Sequence, residues 1–132
     1  MKKTFYIAGK VGASEEEVAR LRSFLEEAGY VSIFDWSGLH VKKPYLVHIH
    51  ENAPIAEAMM KASDECDIFV LLVGGDLYMA MSEYGAALNA RRRGKEKDIY
   101  VVLLSEGSRQ SLAFAHEHVL VCHSLAELYR CF

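Results

Sequence analysis

Glu83 is the side chain whose surroundings best suit chemistry. It stands in Ser82-Glu83-Tyr84-Gly85-Ala86-Ala87, near the expected start of a helix running from Met79 to about Arg93. Free backbone donors and the helix dipole at such a start favour an anion. A carboxylate kept ionised can attack a sugar carbon or steady positive charge developing on it. The small residues that follow would let this helix approach a sheet closely. The plain alternative is a solvated first-turn glutamate, a common way for a helix to open.

Other polar residues gather where apolar runs end. Gly9, Lys10 and Gly12 follow the first run, Asp35 and Trp36 the second, and Gly74, Gly75 and Asp76 the third. Trp36 is either a ring that stacks on a base or a partly buried anchor. Gly9-x-x-Gly12 and Gly74-Gly75 lack the third glycine and the spacing of a dinucleotide fingerprint. His48 and His50, like His116 and His118, sit at strand spacing beside Glu51 and Glu117, but no third ligand stands at a firm spacing. No metal and no cofactor is therefore expected. Arg91-Arg92-Arg93-Gly94-Lys95 reads as cations placed at a helix C-terminus.

The elements that would position these residues follow from periodicity. Thr4 to Ala8 is a buried strand ending at Gly9. Ser14 before Glu15, Glu16 and Glu17 opens a helix whose inward stripe is Val18, Leu21, Phe24, Leu25 and Ala28, stopped by Gly29. Val31 to Phe34 is a second strand. Residues 35–52 are irregular, and a helix from Pro54 to about Glu65 places Ile55, Met59 and Ala62 inward. Asp67 to Val73 carries six uninterrupted apolar residues, the mark of a central parallel strand. Ile99 to Leu104 and His118 to Val121 supply two more strands, and Ser124 opens a last helix with Leu125 and Leu128 inward. Alternation of this kind predicts an α/β fold: an open, doubly wound parallel sheet of about five strands in flavodoxin-like order, helices on both faces, one domain over 1–132. Ligands bind such sheets beyond the carboxyl ends of the strands. That edge is built by the loops after Ala8, Phe34 and Val73.

Four segments together resemble the nucleoside 2-deoxyribosyltransferase superfamily, including its 2′-deoxynucleoside 5′-phosphate N-hydrolase-like members. Tyr6-Ile7-Ala8-Gly9 is similar to its opening strand, and Asp67-Ile68-Phe69-Val70 to its central strand. Ser82-Glu83-Tyr84-Gly85-Ala86-Ala87 is similar to its Glu-x-Gly-x-Ala helix motif, and Asp35-Trp36 matches a pattern in some members. The resemblance spans Tyr6 to about Leu104. It implies cleavage or transfer at the N-glycosidic bond of nucleosides or nucleotides, through a glycosyl intermediate on a Glu that passes to another base or to water. Carried onto this chain, Glu83 is the nucleophile, Tyr6 lies beneath the sugar and orients it, Gly9 allows close approach of the ligand, and Ser82 neighbours a phosphate. Asp35, Trp36 and Gly74 complete the substrate site. Met59 stands where the family carries the acid that protonates the leaving base, so Asp35, Asp76 or Glu57 takes that role, Asp76 being the catalytic assignment here. Otherwise the chain is a non-catalytic nucleotide-binding module. The resemblance also implies a dimer-based homo-oligomer, with Ser108 to His116 reaching a neighbouring chain.

Composition narrows the rest. The chain has 132 residues, 52% of them hydrophobic, and a net charge of −3. That charge argues against a nucleic-acid polymer as partner but leaves room for one nucleotide phosphate. Three cysteines, Cys66, Cys122 and Cys131, form an odd set without zinc or redox spacing and read as reduced thiols. The longest apolar run, Ile68 to Val73, is too short to cross a bilayer. No export leader follows Met1-Lys2-Lys3, so no membrane partner and a cytoplasmic location are expected. A phosphoacceptor protein would need an Asp where Gly9 stands. A flavin protein would need hydroxyls where Lys10-Val11-Gly12-Ala13 stands.

Overall fold

The unbroken apolar run Ile68–Val73 forms the centre of the sheet, and all six of its residues are buried. The computed structural model describes residues 2–9, 15–36, 39, 41–74, 78–104 and 112–132. In chain order these give β1 (Thr4–Ala8), α1 (Glu15–Glu27), β2 (Val31–Ser32), α2 (Ile49–Glu65), β3 (Ile68–Val73), α3 (Tyr78–Arg92), β4 (Asp98–Leu103), a 3-10 turn (Leu112–Phe114), β5 (Val119–Cys122) and α4 (Leu125–Tyr129). The five strands are all parallel in the order β2-β1-β3-β4-β5. This is the flavodoxin-like order, with its switch point between β1 and β3.

The helices form where the apolar spacing requires. Val18, Leu21 and Leu25 of α1 are buried at 3.6-residue spacing. Gly29 and Gly94 adopt φ of +99° and +103°, the left-handed backbone that ends a helix and that side chains with a Cβ avoid. The inward stripe of α3 is Ala80, Glu83, Tyr84, Ala87 and Ala90. Ala87, not Gly85, allows close approach to the sheet: Gly85 is exposed, and a Cβ there would touch nothing within 4 Å. Ser124 opens α4 by accepting from the Glu127 amide at 3.2 Å. Its stretch Val119 to Phe132 closes the far side of the sheet, where Phe132 packs on Tyr30 and Tyr100.

Three expectations about boundaries are corrected. The helix expected from Pro54 begins five residues earlier, at Ile49, and Pro54 lies inside it. Proline removes the bond to the carbonyl four residues before it and crowds that carbonyl, here of the exposed His50 in the first turn, and the helix continues past it. Asn52 ties this extra turn down, its amide donating to the carbonyls of Lys42 at 2.8 Å and Tyr45 at 3.1 Å. Strand β2 is two residues long instead of four; Ile33 adds one more bond, to the Phe5 carbonyl, and the chain then leaves the sheet. Helix α3 starts at Tyr78, which makes Glu83 its sixth residue. Glu83 is thus beyond the first turn, where the free backbone donors lie, and a first-turn reading does not apply. Among the described residues, no helix is long and apolar enough to cross a membrane.

Candidate functional site

Side chains on a strand alternate between faces. On β1 this sends Phe5 and Ile7 toward one side of the sheet and Tyr6 toward the other, and the Tyr6 hydroxyl meets Glu83 of α3. Tyr6 Oη donates a short hydrogen bond to Glu83 Oε2. Both residues are fully buried, Tyr6 beside Phe69 of β3 with ring centroids 6.2 Å apart. Among the described residues, the other carboxyl oxygen, Glu83 Oε1, is buried without a hydrogen-bond partner. A buried carboxyl oxygen without a donor is costly, because water no longer solvates it.

Burial pushes the Glu83 carboxyl up to about 8, and the Tyr6 hydrogen bond only partly offsets this. The Tyr6 phenol is itself held far above its ordinary value, first by burial and then by the neighbouring carboxylate. Tyr6 therefore stays protonated at neutral pH and remains a donor. The pair consists of a fixed phenol and a carboxyl with one oxygen committed and one free. Such a group can accept a hydrogen bond from a ligand, balance a developing cation, or form an ester to an electrophilic carbon.

The other expected site residues fall into three groups. Gly9, buried at the end of β1, and Gly74, at the end of β3, lie on the carboxyl edge, whereas Tyr6 stands at the middle of β1, level with Phe69 of β3. A Cβ on Gly74 would come 3.4 Å from Leu104 Cδ1, so this edge leaves little room between β3 and β4. Ser82 is exposed on α3 beside Glu83. Asp35 and Trp36 are on the other face: with Phe5, Ile7, Val18, Arg22 and Phe34 they line a small cleft under α1. Asp35 pairs with Arg22 at 2.6 Å, and Trp36 is 2% exposed with Nε1 donating to the Ile7 carbonyl. The stacking expectation for Trp36 is corrected: the ring is an anchor, and its faces are covered. Asp76, Gly12 and residues 108–111 lie outside the described residues.

The residues considered for the acid are also placed. Met59 is buried in α2, Glu57 is exposed on the same helix, and Asp64 is ion-paired with Arg93. His116 and His118 lie side by side with centroids 5.3 Å apart and rings tilted by 43°, but no group of three or more His, Cys, Asp or Glu suited to a metal occurs among the described residues. Two features were not anticipated. Lys97 is buried, and the Tyr84 hydroxyl donates to the Ala113 carbonyl at 2.6 Å. Neither has a signal in spacing, since both contacts cross from one element to another.

No protein-family model matches the chain, and no curated protein matches it significantly. Among solved structures it is similar to a CMP N-glycosidase from Clostridium botulinum, BcmB. The TM-score is 0.63 at 18% sequence identity, over 98% of this chain and 97% of that one. The likeness shows a shared fold across nearly the whole of both chains.

Proposed function

We propose that this protein cleaves the N-glycosidic bond of a nucleotide or nucleoside, with Glu83 as the group that meets the anomeric carbon. The observation that carries the reading is the Tyr6–Glu83 pair, buried between the middle of β1 and α3 beside the switch point. It is a buried carboxyl with one oxygen held by a phenol and the other without a partner among the described residues. Three lines support it: the resemblance of Tyr6-Ile7-Ala8-Gly9 and Ser82-Glu83-Tyr84-Gly85-Ala86-Ala87 to the deoxyribosyltransferase superfamily, the switch-point position, and the shared fold with a CMP N-glycosidase. In this reading the bond from base to sugar breaks as positive charge grows on the sugar carbon, and ionised Glu83 either balances that charge or forms a glycosyl ester that water or another base then resolves. Tyr6 fixes the attacking geometry. Gly9 and Ser82 face the nucleotide's sugar and phosphate, and Asp76 supplies the proton to the leaving base.

The same reading includes a dimer-based homo-oligomer in which the segment Ser108 to His116 meets a second copy. The 87% exposure of Leu112 on that segment supports it. Light scattering should return at least twice the 14.8 kDa chain mass, and a monomer at working concentration would remove this part. The second reading, a nucleotide-binding module without turnover, is favoured by one observation: buried, apolar Met59 stands where the superfamily carries its acid. The deciding experiment is incubation with matched ribo- and 2′-deoxynucleosides and their 5′-monophosphates, CMP and dCMP among them, followed by chromatography for free base. Base release from any of them supports the enzyme. Binding by calorimetry without base release supports the module.

A further inference from the structure

Tyr84 follows Glu83 on α3 and meets a different neighbour. One step along a helix turns the side chain by about 100°. Glu83 accordingly reaches β1, while Tyr84 reaches the turn ahead of β5. The Tyr84 ring is 2% exposed and stands edge-on to Phe114, centroids 5.8 Å apart at 81°. Its hydroxyl donates to the Ala113 carbonyl at 2.6 Å. The turn is further braced by the Ala115 amide on the Leu112 carbonyl and the His116 amide on the Phe114 carbonyl, both at 3.0 Å. Phe114 is buried below while Leu112 is exposed above. The turn is therefore held from beneath and presents an apolar side chain outward.

The other described end of this connection is fastened at the same sheet edge. The Leu104 amide donates to the Val73 carbonyl at 2.9 Å, and its side chain lies against Gly74. The connection from β4 to β5 is thus tied to the carboxyl end of β3 at one end and to α3 at the other.

We propose that Tyr84 is a positioning residue. Its hydroxyl, through Ala113, fixes where the turn Leu112–Phe114 stands relative to the helix that carries Glu83, and thereby the fit of a nucleotide in the site. This rests on the glycosidase reading for its consequence, but not for its geometry. A rigid ring with one polar end suits the task, since the ring packs and the hydroxyl sets the distance.

Tyr84→Phe in the full chain is the test, because it keeps the ring and the edge contact with Phe114 and removes only the hydroxyl. Loss of this partly buried hydrogen bond should speed amide exchange across residues 112–116 by about tenfold and weaken calorimetric binding of CMP by about tenfold. The KM for whichever nucleotide the wild type cleaves should rise by a similar factor, with kcat within about twofold and a melting temperature lowered by no more than about 3 °C. Unchanged exchange together with unchanged CMP affinity overturns the proposal. A joint fall in kcat and melting temperature with KM unchanged also overturns it, since that is what a general packing role would give. If the wild type releases no base, the glycosidase reading fails while exchange and affinity still decide Tyr84. Amide exchange needs no ligand, so a wild type that ignores CMP leaves the placement of the turn decided by exchange.

Discussion

Lys97 and Glu83 are both buried ionisable side chains, one leading into β4 at the amino edge of the sheet and the other above β1 toward the carboxyl edge. Lys97 is 3% exposed, and its ammonium donates to the Ser63 carbonyl, to the Asp64 carbonyl at 2.8 Å and to Cys66 Sγ at 3.5 Å. An ammonium has three donors, and here each has a partner. The carbonyls belong to the last turn of α2, where a cation closes groups the helix cannot satisfy itself. Glu83, equally buried, has one oxygen on Tyr6 and one without a partner among the described residues. Burial moves both groups toward neutrality, Lys97 down and Glu83 up. Among the described residues, the fold completes the first group and not the second. A buried polar group that is fully partnered speaks of architecture; one left half-partnered at a switch point speaks of a ligand.

The largest effect that can break this contrast is on turnover. Glu83→Gln keeps the shape and the Tyr6 contact but can neither attack a carbon nor balance a cation. Base release should fall by about three orders of magnitude or more, with CMP affinity changing far less. Equal turnover in wild type and variant would end the assignment of Glu83. At the other edge, Lys97→Met keeps the aliphatic stem and removes the cap on α2. The exposed penalty of unpaired carbonyls should cost about 3 kcal/mol, read as a melting temperature lower by roughly 10 °C. A Lys97→Met protein as stable as the wild type would mean that the ammonium is not closing the helix, and the contrast between the two edges would collapse.

The raised Glu83 carboxyl sharpens the comparison through pH. Chemistry needs the ionised form, so kcat/KM should climb with pH and reach half its plateau near 8, where burial has moved this group from 4.5. A solvated glutamate would place that limb near its ordinary value. Stability should run the other way. The folded state keeps the proton up to about 8 while the unfolded chain loses it near 4.5, so between those values the unfolded state binds fewer protons and stability falls as pH rises. Glutamine mimics the protonated form. Glu83→Gln should therefore melt with the wild type at about pH 4 and be more stable by up to about 4–5 kcal/mol at about pH 8.5. An equal difference between the two proteins at both pH values would show that burial does not hold the proton on Glu83 in the folded state.

Much of the architecture was legible because one-dimensional patterns decide it. Six apolar residues in a row required a central parallel strand, and Val18, Leu21 and Leu25 required the helix they form. The misplaced boundaries share a cause: a local signal yielded to a contact from elsewhere. Ile33 and Phe34 suit a strand, yet the chain leaves the sheet after one further bond. Pro54 suits a helix start, yet Asn52 binding Lys42 and Tyr45 secures an earlier turn. Glu83 and Tyr6 are 77 residues apart and no spacing rule joins them, so only the resemblance pointed to the pair. Asp35-Trp36 shows the opposite error. Its position after a strand put it on the correct edge, but the face was set by alternation on β1, which sends Ile7 away from Glu83. Lys97, between Glu96 and Asp98, reads as an ordinary surface lysine, and only its contacts show otherwise.

Trp36 gives the smallest expected effect and the most local test of which face is architecture. In β1 the carbonyls of Lys3, Phe5 and Ile7 point toward β2. The first two accept from the amides of Val31 and Ile33, both at 3.0 Å. A longer β2 would bring the next alternate amide to Ile7, but the chain has already turned away, and the indole of Trp36 donates there instead. The side chain thus takes the place of a ladder bond and fills the cleft beside Val18 and Phe34. Trp36→Phe keeps most of the ring and loses the donor, so it should cost about 1–2 kcal/mol and lower the melting temperature by roughly 5 °C. The chain has one tryptophan, which makes its fluorescence specific to this position. A ring covered on both faces should resist quenching by iodide and should change little when CMP binds. Strong quenching by bound CMP would instead put a base against the indole, return Trp36 to the substrate site, and require the two faces of the sheet to contribute to it together.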